Sequence, residues 1–281
     1  MEGARQASLR PPIGPGRGVA AVRAGLARIN LYGLVTLLAL VGLWQLLVDT
    51  GVVTAQYIVA PTEIVSAAGD LLSTGELQEA TVHTLSAVLI GWAIAMVAGV
   101  LLGCLFGLFR AARTYGMSTV DLLRSLPTIA LVPPAVLVFG FSLRMEVAVI
   151  VYATLWPILI NTAGGIAQVP RELHDAARTL RLSRSRTAAS VIVPAALPAI
   201  IVGARLGMAV AVILAVVAEM VGTPEGLGYG MVFAQQAIQP ADMFACIITI
   251  GLLGVVLNAA VVAVSRLLPA VAAAQAERER R

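Results

Sequence analysis

Few residues in this 281-residue chain could do chemistry: two histidines (His83, His174), two cysteines (Cys104, Cys246), a carboxylate inside an apolar run (Glu219) and a crowd of arginines. The chain has no lysine, so the P-loop pattern G-x-x-x-x-G-K-[ST] cannot occur and no ATP site of that form is carried here. His83 and His174 fall on opposite sides of the spans described below, share no metal or catalytic centre, and belong to no H-E-x-x-H. Both cysteines lie in apolar runs and suggest no disulfide framework. "GLGYG" (Gly226–Gly230) is too short for a dinucleotide fingerprint and reads as a turn. The pattern predicts no enzyme, no metal centre and no bound cofactor.

The elements that must position these groups are membrane spans. Hydrophobic residues make up 59% of the chain, charged residues only 12%, and mean hydropathy is +0.92; a soluble domain is about a quarter charged. No soluble basic face is available for nucleic acid. A crossing helix needs about 20 apolar residues. Six runs qualify: 31–48, 82–109, a proline-broken 120–141, 147–167, 198–221 and 244–268. They are too long and too unalternating for barrel strands. An all-α polytopic membrane protein of about six helices is the expected class. Arginines alternate with arginine-poor loops along the chain, which places both termini and the 169–197 loop in the cytoplasm. Residues 1–30 read as a cytoplasmic, largely disordered segment, 31–268 as the membrane domain and 269–281 as a cytoplasmic tail.

Within the spans, Gly91, Ala95, Gly99, Gly103 and Gly107 recur every four residues, as do Gly203, Gly207, Ala211 and Ala215. These are packing seams, inside one subunit or between two. Glu219 near the end of the fifth span is a candidate lining of a solute path, although it lies close enough to the interface to reach water. Arg205 snorkels to the other interface. Pro127, Pro133 and Pro134 remove backbone donors, which predicts that the third span is buried in the bundle near that path. Pro127, Pro133, Glu219, Gly226 and Gly228 are the candidate path or gate residues.

The stretch "HDAARTLRLSRSRTAASVIVP" (His174–Pro194) and its flank hold Arg171, Arg178, Arg181, Arg184 and Arg186. Burying five arginines at the bilayer centre would cost roughly 12–17 kcal/mol, so the segment lies outside it. Pro170 suits a first helical position. Leu173, Ala176, Ala177 and Leu180 form one apolar stripe, and Ser183 is placed to cap a second short helix. The result is a compact helix pair, either docking on a partner or lying as a basic helix on anionic headgroups.

These residues resemble the EAA loop of ABC importer permeases, E-A-A, three residues, Gly, nine residues, then I-x-L-P. Here the same spacing carries Asp175-Ala176-Ala177, Arg181 and Val191-Ile192-Val193-Pro194. "RSLPTIALVPPAVLVFGF", "WPILINTAGGIAQVP" and "VVAEMVGTPEGLGYGM" are similar to the nitrate/sulfonate/taurine branch, and the likeness covers about residues 80–267. Aspartate stands for the usual glutamate, and Arg181 for a glycine whose tolerance of positive φ arginine lacks. The resemblance implies a type I ABC importer permease fold in a bacterial-type inner membrane. It implies a loop (Glu172, Asp175, Ala176, Ala177, Arg178, Arg181) that docks on a separate ATPase subunit, where ATP is hydrolysed. A second permease copy and an extracytoplasmic solute-binding protein are the other implied partners, and a small, often anionic solute the cargo. A proton-coupled secondary carrier using Glu219 is the alternative transport reading.

Overall fold

The computed structural model describes residues 16–52 and 57–266, with side chains over 32–52 and 57–265. Every regular element among them is helical: α1 Gly16–Asp49, α2 Pro61–Thr74, α3 Glu76–Leu108, α4 Arg110–Arg124, α5 Val132–Phe139, α6 Leu143–Ala167, α7 Arg171–Thr179, α8 Arg184–Thr187, α9 Val193–Gly222, α10 Gly226–Gln236 and α11 Pro240–Arg266. Five helices are long and apolar enough to cross a membrane, in α1, α3, α6, the α8–α9 stretch and α11. A sixth crossing arises only if α4 and the bent 128–139 segment count as one span.

The expected segments 1–15 and 269–281 lie outside the described residues. Residues 16–30, part of the segment expected to be largely disordered, form the first turns of α1; four alanines and three arginines there are strong helix formers. The described residues up to Thr62 form one compact unit and those from Glu63 to Arg266 a second. In the first, the Gln45 side chain donates to Asp49 (3.1 and 3.0 Å) and accepts from the Thr62 amide (3.2 Å).

In the second unit α6 packs between α3 and α9. Glycine makes this possible. A Cβ on Gly91, Gly99, Gly103 or Gly107 would strike Ile150, Ile158, Thr162 or Ile166 of α6. A Cβ on Gly203 or Gly207 would press on Asn161, Ile158 and Thr154 from the other side. Both seams are therefore internal to the chain. Small side chains let the backbones approach until dispersion contacts accumulate, the main attraction available where lipid is as apolar as leucine. The Trp92 indole N–H, donated to the Ala204 carbonyl at 3.0 Å, ties α3 to α9.

The third span departs from expectation. α4 and the following 3₁₀–α5 segment meet at 79°, and α5 has only eight residues, about 12 Å. Pro127 precedes the 3₁₀ turn, while Pro133 and Pro134 sit in the first turn of α5, where an N–H would go unused. All three prolines are exposed on the single chain rather than buried within its bundle. Two short helices, α2 and α10, were not expected from apolar run length, because neither is long enough to stand out as a span.

Candidate functional site

Polar side chains gather at the two ends of the α3–α6–α9 layer, in opposite ways. At one end lies the loop between α6 and α9. α7 begins at Arg171, one residue after the proline expected at its first position. It closes with a Schellman motif: the Leu182 amide donates to Ala177 O (3.0 Å) and the Arg181 amide to Arg178 O (2.9 Å). The residue in the left-handed position is Arg181, with φ 50°. The position where the permease motif carries glycine has thus kept the glycine conformation while holding arginine. Ser183 caps α8, accepting from the Arg186 amide at 3.4 Å. A π-helical turn, Ala188–Ile192, then leads into α9.

Glu172, Asp175, Ala176, Arg178 and Arg181 of this loop are exposed. Ala177 is not: it is 2% exposed and turned into the chain's own packing. The expected four-residue stripe is therefore divided, with Ala177 as an internal anchor and Leu173 and Leu180 reaching solvent. Only Arg178 pairs with a carboxylate, Asp175 at 3.6 Å; Arg171, Arg181, Arg184 and Arg186 make no ion pair among the described residues. A cleft of about 1020 Å³ opens beside the loop, lined by Phe109, His174, Arg178, Arg184 and Ile192 among others.

At the other end, where α3 and α6 begin and α9 finishes, two carboxylates are buried. Glu146 (0% exposed) and Glu219 (1%) stand within a few ångströms of His83. His83 Nε2 lies 3.1 Å from both Glu146 oxygens, and its Nδ1 lies 2.8 Å from Glu225. The Thr223 hydroxyl donates to Glu146 in a short hydrogen bond. Glu219 accepts from the Gly228 amide at 2.8 Å, and the Leu227 amide donates to the Thr84 hydroxyl at 2.9 Å.

These contacts explain α10. Its own N-cap, Glu225, makes no side-chain capping bond, so the first amides are satisfied by Glu219 of α9 and Thr84 of α3. A carboxylate at a helix N-terminus also meets the positive end of the dipole. Gly226 turns the chain with φ +90°, and a Cβ there would come within 2.6 Å of a Glu219 oxygen. Gly228 likewise leaves no room for a side chain beside Glu219 and Val216. "GLGYG" is thus the start of a helix folded around a buried carboxylate.

Glu219, Gly226 and Gly228, singled out from sequence, converge here, whereas Pro127 and Pro133 are exposed on the 127–139 segment, which packs on the bundle through Val132. Glu146 was not singled out, and His83 was weighed only as a partner for His174. Each reads as an ordinary charge near a span end, and 63 residues separate them. A signal did exist: two carboxylates and a histidine all fall at the same ends of apolar runs.

An all-helical bundle with a motif-spaced loop at one end is shared with known transporters. The family described as "Binding-protein-dependent transport system inner membrane component" matches residues 95–270. The chain belongs to that family. The permease is 31% identical over 224 residues to a Bacillus subtilis protein named for aliphatic sulfonates transport, SsuC, covering 80% of this chain and 81% of the relative. It is 34% identical over 179 residues to the bicarbonate transport system permease CmpB of Synechococcus elongatus, covering 63% and 64%. Among solved structures, the inward-facing MetNI methionine ABC transporter matches with a TM-score of 0.59 at 19% identity, over 66% of the permease and 92% of that chain. An amino acid ABC transporter matches at 0.56 and 16%, over 71% and 95%. At those identities the likeness establishes the fold, that of type I ABC importer permeases. The permease is the membrane subunit of an ABC importer, a multi-pass transport protein.

Proposed function

We propose that two copies of this permease enclose a path for a small anionic solute and move it inward by alternating access, driven by ATPase subunits docked on the α7–α8 loop. The observation that carries this reading is the loop itself. It keeps the permease motif's spacing and its left-handed turn, and it presents Glu172, Asp175, Ala176, Arg178 and Arg181 to whatever lies beyond. Ala177 holds that face against the bundle from behind. The relatives named for sulfonates and bicarbonate support an anionic cargo such as a sulfonate, taurine or nitrate. An extracytoplasmic binding protein would deliver it, and the permease would sit in a bacterial-type inner membrane with both termini in the cytoplasm.

The proton-carrier reading is not favoured. Glu219 is engaged by the Gly228 amide and serves as a cap for α10.

Proteoliposomes holding the permease, its P-loop ATPase partner and the binding protein should take up solute on addition of ATP, with no dependence on a proton gradient. Uptake that follows the proton gradient and ignores ATP would overturn the proposal. Orientation has its own check. In a background lacking Cys104 and Cys246, a cysteine at exposed Gln78 should react with an impermeant reagent outside intact cells, and one at exposed Ser185 should not. The reverse labelling would invert the topology.

A further inference from the structure

We propose that His83, Glu146 and Glu219 form a binding site for one divalent transition-metal ion, of the Zn²⁺ type, joining the ends of α3, α6 and α9. Each residue offers one ligand atom, and the three atoms lie within 4.8 Å of one another. Bonds of about 2.0 Å in a tetrahedral site put donors about 3.3 Å apart. The 3.1 Å separation of His83 Nε2 from the Glu146 oxygens is already at that spacing.

The surroundings match those of a ligand set more closely than those of a simple ion pair. A metal-binding imidazole is normally oriented by a carboxylate on its other nitrogen; His83 Nδ1 has Glu225 at 2.8 Å. Binding carboxylates are themselves held by donors, as Glu146 is by Thr223 and Glu219 by the Gly228 amide. One acceptor is left over: Glu219 Oε1 is buried with no hydrogen-bond partner. The nearby Thr84 hydroxyl has a single proton, and geometry directs it to the Ala80 carbonyl at 3.1 Å. A His83–Glu146 pair gives one buried carboxylate a counter-charge and leaves the other with neutral donors alone, which is costly in a low dielectric. A dication neutralises both while the imidazole stays neutral.

One nitrogen and two carboxylate oxygens suit Zn²⁺ rather than a soft ion. An approach is available. Glu76, Glu79, His83 and Glu225 line a cleft of about 740 Å³, whose charge would gather cations at its mouth. This site does not depend on which solute the permease carries.

The test uses the full-length permease in detergent, stripped with chelator and dialysed against ZnCl₂, with metal counted by mass spectrometry. One Zn²⁺ per chain is expected, and His83→Ala and Glu219→Gln should each weaken binding more than tenfold. Glu225→Gln, acting through His83, should weaken it about tenfold. Asp70→Asn, an exposed carboxylate on α2, should change nothing. Substoichiometric binding, or binding indifferent to His83→Ala and Glu219→Gln, would overturn the site. Should the variants fail to fold, CoCl₂ added to the unaltered protein decides. A saturable visible absorption band that Zn²⁺ displaces is expected; its absence, or displacement by MgCl₂ instead, refutes the assignment.

Discussion

The two ends of the α3–α6–α9 layer handle charge in opposite ways. At the α7–α8 end nearly every charged side chain is exposed, and Arg178–Asp175, at 3.6 Å, is the only ion pair there among the described residues. At the other end Glu146 and Glu219 are sealed from solvent and tied to partners on other helices. Exposed charge adds little to the fold of its own chain, since water screens it and side-chain entropy opposes each pair. Buried charge becomes part of the architecture, because each group left unpaired carries its full desolvation cost. The first end therefore leaves its charge to solvent and to whatever meets it there, and the second uses its charge to hold the chain's own helices together.

Paired substitutions sharpen this contrast. Glu146→Ala would remove the acceptor of the buried Thr223 hydroxyl and one of the two carboxylates on His83, and should cost on the order of 1–3 kcal/mol in thermal or denaturant unfolding of the detergent-solubilised protein. Asp175→Ala, at the exposed end, should cost less than about 1 kcal/mol in the same assay. Equal losses would erase the distinction.

A second comparison lies within α7. Ala177→Glu puts volume and charge into packed interior and should destabilise the permease alone by about 1–3 kcal/mol or more. Ala176→Glu, on the exposed face, should leave the isolated permease as stable as before while reducing ATPase co-purification. If Ala176→Glu instead unfolds the permease, or leaves co-purification intact, α7 is not a docking face.

Much of this was legible in the sequence, and the failures share a cause. Apolar run length located α1, α3, α6, α9 and α11, and four-residue glycine spacing located the seams, because both are local properties. The partner of a seam is not local: only the packed structure shows that Gly103 meets Thr162. His83 was set aside and Glu146 passed over for the same reason, since their pairing exists only once folding brings them to 3.1 Å. Ala176 and Ala177 are identical in sequence terms, and a shift of one position, 100° around the helix, separates an exposed methyl from a buried one. The prolines of the third span were expected to orphan acceptors in mid-helix, but two of them fall in the first turn of α5 and cost no bond.

A further comparison, of about 1 kcal/mol, concerns helix endings. Arg181 (φ 50°) and Ile238 (φ 58°) both hold the left-handed position after a helix, and the Gln239 amide closes α10 onto Ala234 O as Leu182 closes α7. Side chains pay roughly 1–2 kcal/mol for that conformation. Arg181→Gly should recover about 1 kcal/mol of that and raise the unfolding midpoint, while Arg181→Val should lower it. No change in either variant would mean that the turn relaxes by other means.

The glycine seams also have a mechanical meaning. With α3 and α9 packed along its flanks, α6 is the middle member of a three-helix beam, braced even where Pro157 removes a backbone hydrogen bond from its interior. Its 25 residues measure about 37 Å. The loop leaves one end of α6 and enters α9, so a tilt of about 5° imposed there would carry the far end through about 3 Å. That is the diameter of a water molecule, delivered to the place where Glu146 and Glu219 face His83.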